Sequence, residues 1–159
     1  MFENEGQRDK FLTMARELAE AADKDLNPTL FNDLDKNPSC FIVPFNGPKD
    51  KDAFREWLGS LIVHGRITWF GLIFESWMCQ ATSEQEYEKI MAMPAKDRPG
   101  AKEVIFVNLG CPKVELQYIA ELHRVRGKRI VGKWQLMKGE ALVSGRFAHV
   151  WKDSVSVNN

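Results

Sequence analysis

Histidine, cysteine and tyrosine are scarce: this 159-residue chain holds three, three and two of them, and their placement excludes several chemistries. Cys40, Cys79 and Cys111 are odd in number, widely spaced and without a CxxC pair. They read as reduced, buried, small apolar residues rather than a disulfide framework or a zinc knuckle. His64, His123 and His149 stand apart, with no HxxxH or HExxH spacing, so no metal site is expected. GxSxG, GxGxxG and the phosphate-cradling P-loop are missing too. No apolar run approaches the ~20 residues of a membrane helix. The acidic start Met1-Phe2-Glu3-Asn4-Glu5-Gly6 lacks the positive-then-apolar order of a secretory signal, which points to a cytoplasmic protein. No cofactor is expected.

Net charge is also absent, but its distribution is uneven. Residues 1–97 carry 11 Lys and Arg against 17 Asp and Glu, a balance of −6; residues 98–159 carry 11 against 5, a balance of +6. Such asymmetry marks either a solvated surface or an anionic partner for the basic half.

What is present is an apolar core segment, Trp69 to Cys79, interrupted by one carboxylate, Glu75. Ile73 and Trp77 fall on one side of a strand, Phe70, Leu72 and Phe74 on the other, the pattern of a central strand buried on both faces. Around it, Phe11, Met14, Ala15, Leu18 and Ala22 at helical spacing predict a helix from about Glu5 to Asp23. Thr29–Asn32 and Ser39–Phe45 predict a hairpin, and a second helix runs from about Lys49 to His64, closed by Gly65. Ser83 and Glu86 fit a capping box for a short helix over 84–91. Lys102–Leu109, Leu116–Arg126 and Arg129–Met137 read as strands, the last two joined by a Gly127-Lys128 turn, with a further strand ending near Trp151. The fold class expected is α+β: a curved, largely antiparallel sheet of about six or seven strands with two main helices on one side. Residues 1–152 form one domain of ordinary size, and 153–159 a flexible tail.

Two charged constellations stand out. Glu75 and Trp77 share a strand face, and Arg98 lies just before the strand expected to pair with it. Arg98 is therefore the natural counter-ion for Glu75, its planar fork also suited to stacking on Trp77. The group reads either as a buried clasp of loop against sheet or as a ligand pocket in which Trp77 stacks a ring and Glu75 or Arg98 fixes its polar edge. Glu103 completes the group, and two carboxylates can split their pKa values for acid/base work. The second constellation is Arg124, Arg126, Lys128, Arg129 and Lys133, with Trp134 nearby and Arg146 downstream. Arg124 and Arg126 on one strand face, and Arg129 on the next strand, suit phosphates or single-stranded nucleic acid, or simply guard a sheet edge against aggregation.

Phe74-Glu75-Ser76-Trp77-Met78, then Pro94, Arg98-Pro99 and Glu103-Val104-Ile105-Phe106-Val107, resembles the Glu-(Ala/Ser)-Trp-Met … Arg-Pro … Glu pattern of small uncharacterised proteins of phages and prophage-bearing bacteria. Glu75, Trp77, Arg98 and Glu103 are the matched positions, and Gly100-Ala101-Lys102 departs from the pattern. The resemblance implies a phage-like origin, with the host bacterium's cytoplasm as setting, and brings no established activity.

Small size, the lack of catalytic motifs and this resemblance lead to a non-enzymatic accessory protein that binds and blocks a host or defence component. The partner is a protein or an anionic small molecule such as a nucleotide, with self-association as a homodimer a further expectation. The alternatives are a nucleotide-processing enzyme using Glu75 and Glu103, and a nucleic-acid-binding module using Arg124 to Lys133. No membrane partner is expected.

Overall fold

A computed structural model describes residues 1–43, 45–79, 83–137 and 150–157. The fold is α+β, and the described residues form an antiparallel seven-stranded sheet and four α-helices. Helix α1 (Glu5–Ala21) starts where the Asn4 side chain accepts the Gln7 N–H, and it buries Phe11, Leu12, Ala15 and Ala19. Strands β1 (Thr29–Asn32) and β2 (Ser39–Ile42) form the expected hairpin. Helix α2 (Pro48–Val63) follows, with proline in its first turn and Gly65 at φ 64° just beyond its end. Then come β3 (Phe70–Met78), α3 (Glu84–Met91), β4 (Lys102–Cys111), β5 (Val114–Val125), β6 (Lys128–Val131), β7 (Gln135–Leu136) and α4 (Val150–Val157). The Ser83 hydroxyl accepts the Glu86 N–H at the start of α3.

The strands lie in the order β2-β1-β3-β4-β5-β6, so β3 is central. Both of its faces are covered. Phe11, Leu12, Ala15 and Ala19 of α1 pack with Ile73, Ile105, Val107 and Leu109. Phe54, Leu58, Leu61 and Ile62 of α2 pack with Leu30, Phe70, Leu72 and Phe74. Odd and even positions of a strand face opposite ways, so α1 and α2 lie on opposite sides of the sheet. This corrects the expectation of both helices on one side: a strand apolar on both faces needs cover on both. Gly71 and Gly110 make room for the cover. A Cβ on Gly71 would run into the Phe11 ring, and one on Gly110 into the Phe70 ring.

The basic half departs further from expectation. The β5–β6 turn is Arg126-Gly127, with φ 52° and 77°, closed by the pair Val125 and Lys128. Two positive φ values are what the right-handed twist of a two-residue hairpin requires. The turn thus sits one residue earlier than Gly127-Lys128, and Arg126 leaves the strand face it was expected to share with Arg124. The strand predicted over 129–137 is two short pieces, β6 and β7, along the same side of β5, separated by Gly132 to Trp134. Of the last strand expected, residues 138–149, with Arg146 and His149, lie outside the described residues. Val150 and Trp151 are helical instead. Trp151 stacks on Phe70 at 6.3 Å, and Asp153 pairs with Arg55 of α2 at 2.7 Å. Helical structure therefore runs from Val150 to Val157, across the boundary at 152/153 where the domain was expected to give way to a tail.

Candidate functional site

Glu75 and Glu103 of the first constellation and Arg124 and Arg129 of the second form one cluster in space. Glu75 of β3 is ion-paired with Arg129 of β6, and its Oε1 also accepts the Leu26 N–H at 2.9 Å. The Arg129 side chain, 3 % exposed, donates Nε to the Ala19 carbonyl at 2.7 Å and Nη1 to the Lys24 carbonyl at 2.5 Å. Burial draws its pKa down from the usual arginine value, and nearby Asp25 opposes the shift. Arginine nonetheless stays charged. Arg124 of β5 grips Glu103 through Nε at 3.0 Å and Nη2 at 3.3 Å, and Nη2 also reaches the Lys24 carbonyl at 3.1 Å. The bonds to Glu103 hold the Arg124 guanidinium above its ordinary pKa.

The physical logic is local. The last turn of α1 carries no basic residue, so its carbonyl ends lack a cation of their own, and Arg129 supplies one from a distant strand. Arg124 and Arg129 are directly paired across β5 and β6, a repulsive arrangement for like charges. Glu75 and Glu103 neutralise it. Two further α1 side chains complete the closure: Glu20 accepts the Val131 N–H at 2.9 Å, and Arg16 donates to the Val131 and Gly132 carbonyls. Backbone groups at the edge of the sheet are thereby covered by the helix.

Not every predicted residue joins the cluster. Trp77 lies on the same face, opposite Glu103 in register, and is 39 % exposed. Arg98 is not the partner of Glu75. It follows a 3₁₀ turn and donates Nε to the Met93 carbonyl at 3.2 Å, within its own loop. Arg126 occupies the β5–β6 turn.

Sequence reasoning overlooked a cleft of about 680 Å³ beside this cluster, between one side of α1 and the β5/β7 stretch. Arg8, Asp9 and Arg16 line it from the helix, Tyr118 from β5, and Lys133 and Trp134 from the link between β6 and β7. The Arg16 guanidinium sits 5.7 Å from the Trp134 ring centre, held there by its two carbonyl acceptors. The Nε atoms of Arg8 and Trp134 are shielded from solvent and lack a hydrogen-bond partner. Burial raises the Tyr118 phenol above its ordinary pKa; Arg8 opposes the shift, while Asp9 and Glu5 reinforce it. The available signal was the spacing of Glu5, Arg8, Asp9 and Arg16 on one side of a helix whose polar side reads as merely solvated.

Comparison with known protein families, with curated proteins and with solved structures gives no match. Among the described residues, no helix is long and apolar enough to cross a membrane, and no group of three metal-ligating side chains comes together.

Proposed function

We propose that this chain is a small phage-type accessory protein that works in the cytoplasm of a host bacterium by binding a cellular or defence component and holding it, without converting it. One observation carries the reading: the two carboxylates that an acid/base mechanism would use are each committed to an arginine. Glu103 receives two bonds from Arg124, and Glu75 receives Arg129 and a backbone amide. A general acid or base needs hydrogen-bond reach to the proton it moves in a substrate, and these groups spend that reach on the fold. The same pairing argues against a nucleic-acid module, because Arg124 and Arg129 are not free to neutralise phosphates. Between the two kinds of partner expected, an anionic small molecule is favoured by the mixed-charge cleft beside α1.

The test is native mass spectrometry of the protein after incubation with the small-molecule fraction of a bacterial lysate. The expected result is a stoichiometric mass increment that dissociates as an unchanged molecule. Release of a chemically altered molecule would overturn the reading.

A further inference from the structure

We propose that the α1 cleft is a binding site for a small organic carboxylate, whose oxygens accept the N–H groups of Arg8 Nε and Trp134 Nε1. The Nε atoms of Arg8 and Trp134, on two residues that line the cleft, are shielded and lack an acceptor, which costs roughly 1–3 kcal/mol for each buried N–H, so a side-chain turn that brings them to an oxyanion in the cleft recovers that loss. The charge balance selects among oxyanions. Arg8, Arg16 and Lys133 against Glu5 and Asp9 leave one net positive charge, which matches a monoanionic carboxylate better than a phosphate dianion. Arg16 is already fixed by the Val131 and Gly132 carbonyls and backs the Trp134 ring, so it holds the indole in position while Arg8 and Lys133 face the ligand. Leu12 and Leu136 give the ligand's body apolar cover. A cleft of about 680 Å³ lies in the ordinary range for small-molecule sites.

The inference rests on the reading of the chain as a binder that leaves its ligand intact, and the two fail differently. In ¹⁵N-resolved NMR spectra the Trp134 indole N–H is identified by its loss in Trp134→Phe, then followed during titration with benzoate, hexanoate and AMP. The expected result is a saturable downfield shift with at least one of the two carboxylates. Affinity should weaken by roughly tenfold in Arg8→Gln and less in Lys133→Gln, since a charged donor facing a carboxylate matters more when it is shielded. Both variants must keep the wild-type amide spectrum outside the cleft; should Arg8→Gln fail to fold, Arg8→Lys, which keeps the charge without the fork, takes its place. No saturable shift with either carboxylate would overturn the site. Tighter binding of AMP than of both carboxylates would overturn the ligand class. Consumption of a bound carboxylate over the titration would leave the site standing and instead sink the non-catalytic reading.

Discussion

Glu75 and Arg129 are ion-paired although two strands, β4 and β5, separate the strands that carry them. Neighbouring strands lie about 4.8 Å apart, so the pair bridges a distance that two extended side chains close only where the sheet curls. On the register line of Glu75, Ile105 of β4 and Ala120 of β5 are both buried on the same face, beneath the path between the two charges. The pair also receives the end of α1, because Arg129 holds the Ala19 carbonyl while Glu75 holds the Leu26 amide. One electrostatic contact thus joins the central strand, the edge strand and the helix that covers them.

Replacing Glu75 by Gln should therefore destabilise the fold by about 3 kcal/mol, because Arg129 is left buried without its counter-charge. Urea unfolding measures this. The double variant Glu75→Gln/Arg129→Met should recover a large part of the loss, since both charges are then gone. Strict additivity of the two single changes would refute the coupling.

Gly71→Ala should cost about 1–3 kcal/mol, because the new methyl meets the Phe11 ring and that ring has nowhere to go. Phe11 sits edge-on to Phe2 at 5.5 Å and to Phe31 at 5.7 Å, so moving it disturbs the whole aromatic group. Phe11→Leu in the Gly71→Ala background should restore part of the stability. A Gly71→Ala protein as stable as the parent would mean that α1 does not press on β3 as described.

The sheet class, the hairpin, the central strand and the starts of α2 and α3 were legible because each rests on a local rule: alternation, proline, a glycine stop, a serine cap. What was not legible depends on geometry between distant segments. Arg98 was the reasonable partner for Glu75 from chain proximity, but nothing local reports that β6 curls back over α1 and brings Arg129 instead. The same curl draws Arg129 into the interior and Arg124 onto Glu103, out of a basic patch that read as solvated or nucleic-acid-binding, while Arg126, Lys128 and Lys133 stay exposed. The side on which α2 packs was missed even though β3 was recognised as apolar on both faces. The cleft escaped because a charged helix face carries no sequence mark distinguishing a wall from a surface.

Acid behaviour should expose a second ion pair. Asp35 sits at φ 51°, a left-handed position aspartate tolerates, and Arg66 grips its carboxylate at 3.1 and 2.7 Å. Those bonds hold the Asp35 carboxyl below the ordinary aspartate pKa. A depressed folded-state value contributes stability above the unfolded-state pKa, and that contribution is lost as pH falls through the lowered one. Arg66→Met should return the Asp35 carboxyl toward its ordinary value in an NMR titration and remove this part of the acid sensitivity. Both partners are exposed, so the change in stability at neutral pH should be small. An unchanged Asp35 titration would show that the guanidinium is not its cause.

Glu115 of β5 receives the Trp151 amide at 2.7 Å and the Lys152 amide at 3.2 Å, one on each carboxylate oxygen. These amides belong to the first turn of α4, where N–H groups have no partner within the helix and negative charge is favoured. Glu115→Ala removes both acceptors and should cost about 1 kcal/mol. Glu115→Gln keeps an acceptor oxygen without the charge and should cost less. Hydrogen exchange at Trp151 and Lys152 reads the effect directly: faster in Ala than in Gln, and faster in both than in the parent. The Trp151 ring stacks on Phe70 of the central strand, so loosening this turn should also alter tryptophan fluorescence. If exchange at both amides is unchanged in Glu115→Ala, α4 is held by its contacts with α2, chiefly Arg55 with Asp153 and the close approach of Ser154 to Gly59, and Glu115 does not anchor it.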